Sequence, residues 1–244
     1  MKLAIIGYGK MGKTIEKIAL DRGHEIVNIV EERGANVLKQ LSQNGAEVAI
    51  EFSQPEAAAE NIKACIDQKV KVVSGTTGWL DKMDEIKKYA KQKEGTFFYA
   101  SNYSVGVNLF FHLNEWMANL MSRYSDYNVK MEEIHHTEKK DAPSGTAITL
   151  AEGIVKNHPD IQNWKLFEGD NVPENSPENI VPILSKRIDP TPGTHEIIYK
   201  SDIDEISIKH TAHSRTGFAL GAVLVAEWIK DKQGILTMKD FLPL

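Results

Sequence analysis

Cysteine is nearly missing from this chain of 244 residues, in which Cys65 stands alone. No intrachain disulfide can form, and no thiolate cluster can hold a metal. Its place on an apolar helical face points to plain burial. Any apolar run long enough to cross a bilayer is missing too. Lys2 is followed by only a short apolar run before Gly7, so no secretory leader is expected, and a reducing, cytoplasmic setting is. Positive charge is not in excess. The 29 Lys and Arg against 34 Asp and Glu leave a net charge of −5, which counts against nucleic acid as a partner. No internal repeat or low-complexity segment is present. What remains is an ordinary globular composition, 41% hydrophobic and 26% charged. The length accommodates one large domain or two small ones.

The first hundred residues alternate between strand and helix patterns. Lys2 to Ile6 is a short apolar run suited to a buried parallel strand. It leads into Gly7-Tyr8-Gly9-Lys10-Met11-Gly12, a G-x-G-x-x-G turn, and then into a helical pattern with Met11, Ile15, Ile18 and Ala19 on one face. Glu25 to Val30 is a second strand, ending in Glu31-Glu32-Arg33. Strand, turn, helix and a following acid together specify a dinucleotide site, where the glycines alone would not. Gly7 permits the tight turn, Gly9 lets backbone approach a pyrophosphate, and Gly12 lets helix and strand pack closely. Glu31 or Glu32 would bond the adenosine ribose. A carboxylate there opposes the 2′-phosphate of NADP, while Arg33 offsets it, so NADH or NADPH remain open.

Further strands are expected at Glu47–Phe52, Lys69–Ser74 and 96–100, with a helix starting at Pro55 and another at 81–92. The fourth and fifth strands end in polar turns, Gly75-Thr76-Thr77 and Ala100-Ser101-Asn102-Tyr103. Turns at the carboxyl edge of a parallel sheet are where ligands bind, so both are expected to rim the same cofactor.

The rhythm then changes. A helix of about Val107 to Tyr124 carries Phe110, Phe111, Trp116, Met117, Leu120 and Met121, read as core. A strand over Asn128 to Ile134 follows, then E-E-I-H-H-T-E-K-K-D-A-P-S-G-T-A from Glu132 to Ala147. Imidazole moves protons near neutral pH, and lysine supplies a cation for an anionic substrate. Gly145 and Thr146 are expected at a helix N-terminus, whose unpaired amides hold carboxylates. In a regular strand His135 and His136 point to opposite faces, so both serve one site only where the strand ends. Glu168 to Pro182 reads as an exposed loop. Runs at Ile183–Ile188, Thr194–Tyr199 and Glu205–His210 read as strands without intervening helices, hence a mixed or antiparallel sheet. The fold class is therefore α/β, with a Rossmann dinucleotide domain over 1–103 with 216–244. An α+β substrate-binding and oligomerisation domain covers 104–215.

The run Glu133 to Ala147, with G-x-G-x-M-G, G-T-T-G and N-Y-S-x-G-V-N elsewhere, resembles the bacterial dihydrodipicolinate reductase family, also called 4-hydroxy-tetrahydrodipicolinate reductases, of the diaminopimelate route to lysine. The resemblance implies that His135 is the catalytic proton donor and Lys139 the second catalytic group. It implies substrate binding by His136, Ser144, Gly145 and Thr146. It places cofactor contacts at Gly7 to Gly12, Glu31 or Glu32 with Arg33, Gly75 to Thr77, and Ala100 to Tyr103. It further implies a small dicarboxylate substrate and a cytoplasmic homotetramer built through the second sheet. Some family members carry one acid before arginine, whereas two acids precede Arg33 here. No metal is expected, since two adjacent histidines without a carboxylate triad make a poor metal site.

Overall fold

A computed structural model describes every residue except 32–37, 39, 168–170, 173–176, 178, 215 and 243–244. It divides into two units, Met1–Val105 with Thr216–Leu244, and Gly106–Arg215. Glu32 and Arg33 lie outside the described residues.

The first unit is built on β1 (Lys2–Ile6), α1 (Lys10–Asp21), β2 (Glu25–Val30), β3 (Val48–Glu51), α2 (Pro55–Asp67), β4 (Lys71–Ser74), α3 (Met83–Gln92) and β5 (Phe97–Tyr99). Its six-stranded sheet has the order β11-β5-β4-β3-β1-β2, with β11 at Ile235–Leu236, and every pair is parallel. Alternation along β1 explains why both faces are covered. Ala4 and Ile6 join the core formed with Ala58, Ile62 and Ile86 of α2 and α3. Leu3 and Ile5 join the opposite core with Ile15 of α1 and Ala222 and Ala226 of a later helix, residues Thr216–Ile229. Pro55 opens α2, where a missing amide costs nothing, and Gln54 is the cap residue. Cys65 is fully buried and burial pushes its thiol up.

The second unit begins with α4 (Val105–Met121), followed by β6 (Asn128–His135), α5 (Gly145–Asn157), β7 (Asn163–Phe167), β8 (Ile180–Arg187), β9 (Gly193–Lys200) and β10 (Glu205–Ala212). The chain then supplies the first unit with α6 (Thr216–Ile229), β11 (Ile235–Leu236) and α7 (Met238–Phe241). The second sheet runs β10-β9-β6-β8-β7. It is mixed: β6 pairs antiparallel with β9 and parallel with β8. The fold class read from the sequence, a parallel dinucleotide unit plus a mixed-sheet unit, is the one observed.

Several details differ from the sequence expectation. Trp116 is 64% exposed and Leu120 37%, whereas Phe110, Met117 and Met121 are buried. Only one stripe of α4 faces the core formed with Met131, Leu150 and Ile154. Strand β8 begins at Ile180, so the end of the expected loop, Pro182 included, is already sheet. Strands β7 and β11 were not expected. The half-exposed N-W-K-L-F of β7 lacks clean alternation, and two residues of β11 are too few to show a period.

Candidate active site

The first unit presents its turns at the carboxyl ends of β1 to β5. Gly7 has φ +91°, its amide bonds Val30 O at 2.9 Å, and a Cβ there would lie 2.0 Å from Phe52 O. A Cβ on Gly12 would lie 2.2 Å from Gly7 O. Both positions therefore tolerate only glycine for reasons internal to the fold. Gly9 is different: nothing lies within 4 Å of its hypothetical Cβ. It precedes α1 directly, so the space it leaves open adjoins the first amides of that helix, a place suited to a pyrophosphate. Lys10 is exposed at the start of α1. Met11 lines the rim of a cavity of about 360 Å³ with Phe52, Ser53, Gly75, Thr76 and Thr77. The Tyr8 hydroxyl donates to Glu16, and Lys13 lies over its ring at 5.6 Å.

Glu31 follows the end of β2 and lines a second cavity of about 380 Å³ with Ile6, Gly7, Val30, Ser53 and Asn61. A ribose would meet the Glu31 carboxylate there, so the observed groups fit a dinucleotide. A fully buried carboxylate supports this rim. Glu51 accepts from Ser74 Oγ at 2.7 Å, from Thr76 Oγ1 at 2.9 Å and from the Ser53 hydroxyl. It ties the turn after β3 to the turn after β4. Thr76 is thus held by its side chain, and Thr77 is exposed. A Cβ on Gly75 would sit 2.2 Å from the Phe52 ring, which would have to move. In the last turn Ala100 is buried and Ser101 exposed. Asn102 Oδ1 accepts from Ser104 N at 2.9 Å. Tyr103 is only 2% exposed, donates to Ser74 O at 2.7 Å and packs on Phe52 and Phe98. Its side chain belongs to the core beneath the rim rather than to the rim's surface.

In the second unit β6 ends at His135, whose carbonyl accepts from Ile188 N at 2.7 Å. His136 therefore lies beyond the strand and escapes the alternation that would turn it away. The chain is then held by Asp189, which accepts from Thr137 N at 3.0 Å and Thr137 Oγ1 at 2.5 Å. His135 is buried and His136 partly so. Lys139 is partly buried and its Nζ bonds both oxygens of Asp141, at 2.8 and 2.7 Å. Ser144 caps α5: its Oγ accepts from Ala147 N at 3.2 Å, and its own amide donates to both oxygens of Glu133 at 3.1 Å. The amides of Gly145 and Thr146 come next, in the helix turn that has no preceding carbonyl to bond. Nothing lies within 4 Å of a Cβ built on Gly145. Ser144 is 3% exposed, so it serves as the cap behind these amides.

Sequence reasoning did not single out His195, Ser185 and Arg187. Glu133 stands opposite His195 on β9 and Ser185 on β8, and His135 is paired with Arg187. Glu133 Oε2 lies 3.5 Å from His135 Nδ1 and 3.6 Å from His195 Nε2. The G-T-H of β9 carries the period-two signal, but which strand it pairs with is not readable from it. Sequence alone offered only the two adjacent histidines, without a carboxylate triad; the structure sets Glu133 beside His135 and His195. Glu133, His135 and His195 bring one carboxylate oxygen and two imidazole nitrogens within 4.8 Å of one another, a spacing one divalent cation could span. The carboxylate is already engaged by Ser144 N and by Ser185 Oγ at 2.6 Å.

Electrostatics differ sharply between neighbours. Burial pushes Glu133 up. Contacts from His195, Ser144 and Ser185, with the charge on His135, outweigh it and hold the carboxyl well below the usual range. Burial pushes His135 down to about 4, against the pull of Glu133, with His195, Lys139 and Arg187 acting the same way as burial.

A strand–glycine turn–helix with a carboxylate after the second strand, joined to a unit carrying imidazole, lysine and an open helix N-terminus, defines a nicotinamide-dinucleotide oxidoreductase acting on an anionic substrate. The chain belongs to the dihydrodipicolinate reductase family, whose N-terminus model matches residues 1–103 and whose C-terminus model matches residues 106–242. It is 48% identical over 242 residues to a 4-hydroxy-tetrahydrodipicolinate reductase of Christiangramia forsetii, covering 99% of this chain and 98% of that one. Its fold is similar to a dipicolinate-bound dihydrodipicolinate reductase from Paenisporosarcina sp. TG-14, with TM-score 0.79 and 21% identity over 99% of each chain. It is also similar to an amine dehydrogenase from Mycobacterium smegmatis, with TM-score 0.57 and 12% identity over 96% of this chain and 94% of that one. Among the described residues no helix is long and apolar enough to cross a membrane.

Proposed function

We propose that His135 and Lys139 carry the chemistry of an NAD(P)H-dependent reduction of 4-hydroxy-tetrahydrodipicolinate to tetrahydrodipicolinate, in the diaminopimelate route to lysine. The observation that carries the reading is a buried imidazole, a lysine and the open head of α5 in one unit, in a chain 48% identical to a reductase of that name. The reduced nicotinamide, when bound by the first unit, supplies a hydride. The ring that receives it, having lost water, becomes anionic and enamine-like and needs a proton. His135 gives that proton, and Lys139 stabilises the developing negative charge. The substrate is a small dicarboxylate. His136 and the amides of Gly145 and Thr146 hold its carboxylates, with Ser144 fixing those amides from behind. Gly7 to Gly12, the ribose acid Glu31 or Glu32, Arg33, Gly75 to Thr77 and the 100–103 turn shape the cofactor site. A cytoplasmic homotetramer assembled through the second sheet belongs to the same reading.

The test is oxidation of NADH and NADPH by freshly generated 4-hydroxy-tetrahydrodipicolinate, with reduction of NAD and NADP by aspartate as the control. Turnover with the first and none with the second is expected. The reverse pattern replaces the proposal with amino-acid dehydrogenase chemistry.

A further inference from the structure

Strand register sets two rows of side chains side by side on the second sheet. In the first row Glu133 of β6 lies between His195 of β9 and Ser185 of β8. In the next, His135 lies beside Arg187 of β8. On its other side is Gly193 of β9, where an added Cβ would lie 3.1 Å from His135 Nε2 and 3.3 Å from Cδ2. Glu133 is completely buried. A buried carboxylate persists only when its lone pairs are met, and here the donors are Ser144 N and Ser185 Oγ. His195 Nε2 reaches Ser144 Oγ at 3.0 Å, so the same cap residue is held from two sides. His135 Nδ1 has no hydrogen-bond partner among the described residues and faces Glu133 Oε2 at 3.5 Å. Arg187 binds the main-chain carbonyls of Lys139 at 3.0 Å and Asp141 at 2.5 Å, and so fixes the loop that carries the lysine.

We propose that Glu133 and His195 are positioning residues for the reduction. One buried carboxylate, braced by His195, sets both the plane of the His135 ring and the seat of Ser144 at the head of α5, while Gly193 leaves room for that ring to lie against β9. The proton donor and the anion-binding amides of Gly145 and Thr146 then keep one spacing, because both are referred to the same carboxylate on a rigid sheet. With Nδ1 turned to Glu133, Nε2 is the nitrogen that delivers the proton. The groups facing His135 are Glu133 on its own strand, His195 on β9, Arg187 on β8 and Lys139 on the following loop. Glu133 is the one anion among them, and so the one that favours an imidazolium. The inference rests on the reading of His135 as the proton donor.

The experiment compares Glu133→Gln, His195→Phe, His195→Gln and Gly193→Ala with the wild type. It measures turnover, the pH profile of kcat/KM, NADH affinity, and affinity for dipicolinate as a dicarboxylate probe. Glu133→Gln should lower kcat by about 100-fold, the scale of a misdirected general acid, and move the pH profile towards acid. His195→Phe should weaken dipicolinate about tenfold, the worth of one lost hydrogen bond. His195→Gln, which keeps a polar group for Ser144 Oγ, should recover most of it. Gly193→Ala should press on the His135 ring and lower kcat. NADH affinity should hold in all four. Folded variants with wild-type kcat, dipicolinate affinity and pH profile overturn the inference, as do losses of NADH affinity as large as those of dipicolinate. If Glu133→Gln does not fold, the two His195 variants decide. Absence of turnover in the wild type instead overturns the proposed activity, and this inference with it.

Discussion

The ammonium of Lys139 and the carboxylate of Asp141 hold each other across one intervening residue, at 2.8 and 2.7 Å. The hydrogen bond from Lys139 is the main cause that lowers the Asp141 carboxyl. Asp141 is 63% exposed, and pairs of this kind contribute at most about 1 kcal/mol. A dicarboxylate can therefore displace Asp141 from the lysine. Asp141→Asn is expected to tighten dipicolinate by no more than about fivefold, within that limit, and to leave the melting temperature nearly unchanged. Calorimetry that shows weaker binding would make Asp141 part of the substrate site instead of a competitor.

His135→Ala and Lys139→Ala are each expected to lower kcat by about 100-fold or more, with NADH affinity unchanged, since neither belongs to the dinucleotide unit. Thr146→Val keeps the backbone amide and the shape but removes the hydroxyl, so KM should rise more than kcat falls. Thermal melts beside the kinetics separate lost chemistry from lost stability.

The lowered pKa of His135 has two consequences with definite sign. Its folded value, about 4, lies below the ordinary 6.5, and burial lowers His158 and His210 as well. The unfolded chain thus binds these protons first. The contribution of these groups to stability is full above pH 6.5 and is lost as pH falls, for His135 towards about 4. His135→Gln should make that loss shallower in denaturant titrations. A dianion bound beside His135 raises its pKa again, so dipicolinate binding should take up a proton and tighten as pH falls from neutrality towards about 4. Calorimetry in buffers of different ionisation enthalpy reads this directly. No proton uptake would place the dianion away from His135.

Gly9 and Gly75 should respond differently to a side chain. Space is open around Gly9, so Gly9→Val should fold normally yet lose NADH by at least about tenfold in affinity, by blocking the backbone approach. At Gly75 an added Cβ drives into the Phe52 ring. Gly75→Ala should therefore lose about 1–3 kcal/mol of stability. Calorimetry and melting curves on both variants provide the check.

Glu31 lines the cavity beyond β2. Glu31→Gln should improve NADPH binding relative to NADH, because a 2′-phosphate would no longer face that carboxylate. Arg33→Ala should weaken NADPH more than NADH. Equal effects on both cofactors would remove these residues from the choice.

Local patterns carried much of this protein. The glycine spacing from Gly7 to Gly12, the short apolar runs of the first unit and the helix start at Gly145 and Thr146 depend on neighbours a few residues away, so the chain alone determined them. His135, Lys139 and the helix head stood together for the same reason, within one short span. Exposure of one stripe of α4 was not legible, because an apolar residue such as Trp116 looks alike whether or not a sheet covers it. Nor was the burial of Tyr103, whose place in a polar turn suggested the surface. Only the tertiary structure decided that His195, Ser185 and Arg187 meet Glu133 and His135. Strand pairing is a long-range choice with no local code, and a shift of one residue in register would turn His195 and Gly193 to the opposite face.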